Sequence, residues 1–464
     1  METTGFKLNY KRTFTIGFAF FGILLLWQVY DTWCPLILTD LFTNTFGAPA
    51  TDVQYLVGVM MAIDNVAALL LLPVFGKLSD KTHSRLGKRM PYILVGTAVC
   101  AIAFPFIPVF FHFGIVWGTL AMMAIVVFFA MMYRNPAVAL MPDVTPKPLR
   151  SKANGIINIM GYIGGAFATV LGMVFNFKLY LEADPATRSI WTAEAPFLIG
   201  SVLMVISAFV LFILVKENKI AVEVKDEMAK GELVSEAADT ISVDDEGPMT
   251  KANKIMLFLI LGAEFFWFMA DNGISTFLSN YIYQNLHETV GTAILTIVGG
   301  VGSILGFVFG GVIAQKIGRK WTLLSGLLLS LTSYVVWIVL TYTIGFSGPS
   351  LSSIPIWLYA IWFLKGFGMS LVHVNSYPMV VELCSNKKIG AFTGYYYTSS
   401  MLAQTITPVL LGLLIRVPNF GWNVLPVYAS ACLVISSLVF FFVKSVKNQK
   451  TSFKKGLEAL DQED

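Results

Sequence analysis

Trp27 and Asp31 stand four residues apart, and the same pair returns about 240 residues later as Trp267 and Asp271. Residues at that spacing share one face of a helix. Each pair therefore sets an aromatic plane, suited to a sugar ring, beside a carboxylate suited to hydroxyls or to a proton. Asp64, Glu264, Arg134 and Lys365 are further ionisable residues inside long apolar runs. Burying a charge at a bilayer centre costs roughly 2.5–3.5 kcal/mol on insertion scales, so each needs a partner, water or a function. A carboxylate withdrawn from water is easier to protonate, which makes Asp31, Asp64, Asp271 and Glu264 the candidates for proton coupling. Candidates for contact with a solute are Trp27, Asp31, Asn65, Arg134, Trp267, Asp271, Asn272, Lys365, Tyr396 and Gln404. Structural uses compete with these: Asp31 paired with Arg134, a salt bridge from Asp271 to Lys365 that fixes span seven against span ten, and Asp64–Asn65 bridging to span eleven.

The elements that must position these residues are membrane helices. With 56% hydrophobic and 13% charged residues, the 464-residue chain lies far from ordinary soluble proteins, which carry about 25% charged residues. Twelve runs reach the roughly 20 residues that a span requires: 14–41, 53–78, 91–111, 114–141, 153–177, 195–215, 254–283, 290–315, 321–344, 355–381, 390–415 and 424–443. The first run is too long for a signal-peptide core and is expected to stay as a span. The polar stretch 216–253 has low hydrophobicity and no aromatic residue, and reads as a solvated linker between two halves. The predicted organisation is an N-terminal six-helix half over 1–215, a cytoplasmic linker over 216–253, a C-terminal half over 254–443 and a cytoplasmic tail over 444–464. The net charge of +4 is spread over short loops, so nucleic acid is not an expected partner. The four cysteines lack CxxC spacing. The four histidines lack HExxH spacing, and no GxxxxGK[ST] occurs. Neither metal, cofactor nor ATP is expected, and no enzyme activity.

Of the 32 Lys and Arg residues, only Lys178, Arg188 and Arg416 fall on one side of this plan, while Arg134 and Lys365 fall within spans. All others lie on the opposite side, led by the turn carrying Lys77, Lys81, Arg85, Lys88 and Arg89. Because Lys and Arg accumulate in cytoplasmic loops, that side and both termini are expected in the cytoplasm of a multi-pass plasma (inner) membrane protein. The turn also has a second copy, Gly311-Val-Ile-Ala-Gln315-Lys-Ile-Gly318-Arg319-Lys320, after span eight. Both halves run in the same direction, as parallel repeats about an axis along the membrane normal do.

Gly76-x-x-x-Asp80 followed by Gly87-Lys-Arg89 resembles the loop signature of the major facilitator superfamily. Ser79-Asp80-Lys-Thr-His-Ser84-Arg85-Leu-Gly87-Lys-Arg89-Met-Pro91-Tyr-Ile is similar to the sucrose/proton symporters and their glycoside-pentoside-hexuronide cousins. Leu140-Met-Pro-Asp143 and Arg150-x-x-Ala153-Asn154-Gly155 extend that likeness. The resemblance implies an all-α membrane protein of twelve helices in two parallel six-helix repeats, the major facilitator fold. It also implies cation-coupled import of a glycoside, above all a disaccharide, by a monomer in the bilayer. The chain departs from the sucrose carriers at Val127 and Val138, where they have an intramembrane Asp and Arg. It departs from melibiose-type sodium carriers at Ala68 and Leu72, where those have carboxylates, which favours a proton over sodium. Asp80, Arg85, Lys88, Arg89 and Arg319 are read as a conformational gate. An exporter of lipophilic cations is the alternative on the same fold, separable by whether expression confers drug resistance instead of growth on sugar. A lipid- or glycan-modifying intramembrane enzyme would need a nucleophile-base pair at membrane depth, and the sequence offers no convincing one.

Overall fold

In the computed structural model the described residues are 7–146, 149–184, 186–240, 251–381, 383 and 389–443. Among them, twelve helices are long and apolar enough to cross a membrane. Spans one to six are Tyr10–Phe46, Ala50–Lys81, Met90–His112, Val116–Asp143, Lys152–Val174 and Ile190–Leu214. Spans seven to twelve are Lys251–Leu286, Val290–Ile317, Arg319–Thr343, Ile356–Val380, Ala391–Ile415 and Gly421–Phe441. All twelve sequence runs become helices because an isolated backbone in lipid must satisfy its own hydrogen bonds. Span three breaks at Pro105 into Met90–Ala103 and Phe106–His112, as a residue without an amide hydrogen dictates.

The helices pack twice in the same pattern. Span one lies against five and six, and span seven lies against eleven and twelve. Spans two and three pack on four, and spans eight and nine on ten. The repeat in sequence is thus a repeat in tertiary contacts. Across the halves, span two lies along eleven and span five along eight. The first of these crossings depends on missing side chains. A Cβ at Gly58 would strike the Pro408 carbonyl, and one at Gly412 would strike the carbonyl of Gln54, so glycine lets the backbones meet.

The two faces of the bundle differ. On the face opposite the 82–89 turn, the halves are knotted by Asn280 of span seven. Its amide nitrogen lies 2.9 Å from Thr39 Oγ1, 3.2 Å from Gln54 Oε1 and 3.2 Å from the Pro35 carbonyl. Gln54 in turn donates to Thr39 Oγ1 at 3.1 Å. Thr289 donates to Asn176 Oδ1 at 2.7 Å nearby. On the face of the basic turn, the ion pairs of Lys88 and Arg89 and the hydrogen bonds of Glu217 stay within the N-terminal half. Asp31 is exposed although it sits in mid-span. The central space therefore opens toward the basic face.

The stretch after span six differs from a solvated tether. Its described residues include the helices Glu217–Glu223 and Lys225–Thr240. Glu217 is buried against the basic turn, where backbone amides supply what water would otherwise give its carboxylate. The acidic run at 243–246 and the tail at 444–464 lie outside the described residues.

Candidate functional site

Spans one, two, seven and eleven meet in mid-membrane around a cavity of about 100 Å³ lined by Asp31, Met61, Asp64, Asn65, Asn272, Ser275, Thr276 and Gln404. Five of these are sequence candidates brought together from four helices. Asp64 Oδ1 accepts from the amide and side chain of Asn65 at 2.7 and 2.9 Å. Gln404 donates to the Ser400 carbonyl at 3.2 Å, leaving its oxygen free to accept. The Asn272 side-chain oxygen has no hydrogen-bond partner among the described residues. Asp31 itself makes neither a hydrogen bond nor an ion pair among the described residues. The wall thus presents two carboxyl groups beside uncharged donors and acceptors.

Arg134 does not close onto Asp31. Its guanidinium carbon lies 5.9 Å from the centre of the Trp27 ring, a cation–π distance. Trp27 also meets Tyr30 edge-on at 5.6 Å. Trp27 and Arg134 are therefore partners of each other, bordering the cavity's lining residues rather than joining them.

The C-terminal half uses its charges differently. Lys365 of span ten lies 2.6 Å from Asp271, both side chains being largely buried, so the salt-bridge reading of this pair describes the geometry. His373, also on span ten, has its ring 5.4 Å from that of Phe268. Trp267 is wholly buried, and its ring faces Phe440 of span twelve at 6.5 Å. A sugar held between Trp27 and Trp267 does not fit this arrangement, because Trp267 leans into the packing between spans seven and twelve. Glu264 is equally buried, and neither of its oxygens has a hydrogen-bond partner among the described residues. Tyr396 is buried with its hydroxyl 2.9 Å from Ser376, within a cluster that includes Tyr377 at 5.6 Å. Glu264, Trp267 and Tyr396 accordingly stand apart from the cavity wall.

Sequence reasoning misses Met61, Ser275 and Thr276. The two hydroxyls stand three and four positions after Asn272, so helical spacing from that residue points to them. A smaller cavity of about 20 Å³ lies between spans one, five, seven and eight, with Gln28, Thr32, Ser279, Thr292 and Thr296 among its lining. Gln28 donates to Thr32 at 3.2 Å. Uncharged hydroxyls on apolar helices carry no charge signal, which is why this second polar surface is silent in the sequence.

The basic turn forms a network within its own half. Arg89 lies 2.5 Å from Asp80 and 2.8 Å from Asp143 of span four, and Lys88 lies 3.1 Å from Asp143. Burial alone would lower the Arg89 pKa, but hydrogen bonds and charges from Asp143 and Asp80 outweigh it, and the pKa is raised. Glu217, only 3% exposed, accepts from the amides of Lys88, Arg89 and Met90 at 2.9 to 3.2 Å. These are the free amides that open span three, where a carboxylate is favoured. Gly87, at φ 112°, keeps the approach clear, since a Cβ there would overlap Glu217. Arg85 points to solvent, and Arg319 opens span nine at the second copy of the turn. Here the network braces the N-terminal half instead of joining the halves.

Two family profiles match the chain: "MFS/sugar transport protein" over residues 16–347 and "Major Facilitator Superfamily" over 256–460. No curated protein matches by sequence. Among solved structures, the inward-open xylose transporter XylE from E. coli is similar with a TM-score of 0.67 at 14% identity, covering 97% of this chain and 98% of that one. A D-xylose-proton symporter gives 0.62 at 15% identity, with coverage of 95% and 99%. The nucleoside transporter NupG gives 0.63 at 11%, with 93% and 99%. The profiles and these structures are all of transporters.

Proposed function

Because the chain belongs to the major facilitator superfamily, we propose that it imports a sugar together with a proton by alternating access. The preferred substrate is a disaccharide or other glucoside such as sucrose or maltose. The observation that carries this reading is the central wall: unpaired Asp31 and adjacent Asp64 facing Asn65, Asn272, Ser275, Thr276 and Gln404. Amides and hydroxyls offer a sugar the donor and acceptor pairs its hydroxyls require, and the carboxyls offer a place for a proton. That lining also favours a polar solute over a lipophilic cation. The sugar-transport family match and the xylose-carrying neighbours support the same substrate class.

In this reading the basic face is cytoplasmic, so the conformation is open inward, and the halves 1–215 and 254–443 rock about the central site. A proton from outside neutralises Asp31, with Asp64 as its neighbour and alternate carrier. Sugar then binds between span one and the Asn272–Thr276 stretch of span seven. With both aboard, the Asn280 knot forms on the outside as the basic face opens. Loss of the proton inward restores the charge on Asp31, weakens the sugar's hydrogen bonds and favours its release. Asp271 is held by Lys365 throughout, which leaves the N-terminal half to carry coupling.

The test is uptake of labelled sucrose, maltose and related glucosides into proteoliposomes with an imposed pH gradient. Equal uptake without the gradient, or uphill accumulation retained in both Asp31→Asn and Asp64→Asn, overturns the coupling mechanism. Failure of all glucosides to be transported or to compete overturns the substrate class.

A further inference from the structure

A further cavity of about 180 Å³ lies on the basic face, between the start of span three and the end of span six, away from the central site. Leu86, Met90, Phe212 and Val215 give it an apolar floor. Three cations, Arg85, Lys216 and Lys219, stand at its rim. The Arg85 carbonyl accepts from Asn218 at 3.1 Å, while its guanidinium makes no hydrogen bond or ion pair among the described residues. Lys216 lies 4.8 Å over the Phe212 ring and donates to that residue's carbonyl at 3.1 Å. Lys219 is 3.9 Å from Glu223, both highly exposed, a pairing too weak to cancel its charge. The one carboxylate in the lining, Glu217, is occupied by the three amides of Lys88, Arg89 and Met90. The rim is therefore electropositive.

Its depth narrows the ligand. Span six ends at Leu214 and span three begins at Met90, so the cavity sits where apolar helix gives way to polar chain. Leu86, Ile213 and Leu214 are 43%, 47% and 54% exposed beside it, an apolar skirt at the level where acyl chains begin. A cationic rim over an apolar floor at this level fits an amphiphile with an anionic head. Basic pockets at helix ends on the cytoplasmic side hold such headgroups, and Lys216 can snorkel to one while its stem stays on Phe212.

We propose that this cavity binds the phosphate of an anionic phospholipid, with Arg85, Lys216 and Lys219 as its ligands and the acyl chains lying along Leu86, Ile213 and Leu214. A bound headgroup bridges the basic turn and the helix Glu217–Glu223, the two pieces that Glu217 already joins. The lipid thereby reinforces the brace on the N-terminal half.

The experiment titrates the full-length chain in neutral detergent with phosphatidylglycerol or phosphatidylcholine and counts bound lipid by native mass spectrometry. Preference for phosphatidylglycerol should be at least about tenfold, and should vanish in Arg85→Ala/Lys216→Ala/Lys219→Ala. Arg85→Ala alone, which breaks no contact, should lower it severalfold if the triple variant fails to fold. Equal binding of the two lipids, or undiminished preference in the folded variants, overturns the proposal. Displacement by millimolar inorganic phosphate at the same site assigns it to a soluble phosphate and likewise refutes the lipid.

Discussion

Replacing Lys365 by methionine isolates the role of the Asp271–Lys365 pair. Unit charges 2.6 Å apart attract by roughly 6 kcal/mol at an effective dielectric of about 20. Most of that offsets the cost of taking both groups out of water, so the net worth of the intact pair is small. Removing one partner is different, because Asp271 is then left charged and uncompensated in mid-membrane. Such losses run to about 3–5 kcal/mol. Side-chain exposures of 15% for Lys365 and 27% for Asp271 place this pair at the lower end, about 3 kcal/mol. Thermal unfolding in detergent, followed by tryptophan fluorescence, should show Lys365→Met melting about 3 °C below the parent. The double variant Asp271→Asn/Lys365→Met should recover most of that loss, since neither charge remains. It should also keep pH-driven accumulation, because the pair is a brace and coupling lies with Asp31. A single variant as stable as the parent refutes the energetic argument. A stable double variant that equilibrates solute without concentrating it shows that Asp271 belongs to the coupling path, and the assignment to the N-terminal half is then wrong.

Asp31→Asn should abolish uphill accumulation at any imposed gradient while preserving sugar counterflow, which needs binding but no net proton movement; loss of counterflow as well would make Asp31 a binding residue first. Asn280→Ala removes the donor of three contacts on the face opposite the basic turn, about 1–2 kcal/mol of bias. This should raise the labelling rate of Thr32→Cys from that face about 5–30-fold with an impermeant maleimide, and an unchanged rate would show that the knot does not hold the bundle shut. Glu217→Gln keeps the shape but removes the charge that accepts from three amides, a loss of about 2 kcal/mol for a buried charged acceptor. Hydrogen exchange over residues 86–91 should quicken, and protection equal to the parent's would place the brace elsewhere.

How far the sequence reached can be judged residue by residue. Asp31, Asp64, Asn65, Asn272 and Gln404 share one wall, and each announces itself as a polar group in an apolar run. Ser275 and Thr276 do not, because a lone hydroxyl can satisfy itself on its own helix, as Ser275 does on the Asp271 carbonyl. Glu217 was hidden by its neighbourhood: a polar, aromatic-free stretch reads as solvated, and only docking onto the amides of span three reveals a buried acceptor. The Trp-x-x-x-Asp repeat predicts a symmetric pair of sugar platforms, yet Trp27 meets Arg134 while Trp267 meets Phe440. Four-residue spacing confines two side chains to a broad face and leaves open which neighbour each end of that face meets.

The sequence by itself determined the twelve spans, the side on which cations gather, the doubling of the six-helix unit and which ionisable groups lie at membrane depth. Each of these follows from local composition, because a bilayer sorts residues by hydropathy along the chain. Only the tertiary structure decided that Asp271 is paired while Asp31 is free, that Trp267 belongs to packing, and that the space between the halves opens toward the basic face. Those outcomes depend on how each helix is rotated and crossed against its neighbours. Rotation and crossing come from close contacts such as Gly58 on Pro408 and Gly412 on Gln54, between residues far apart in the chain.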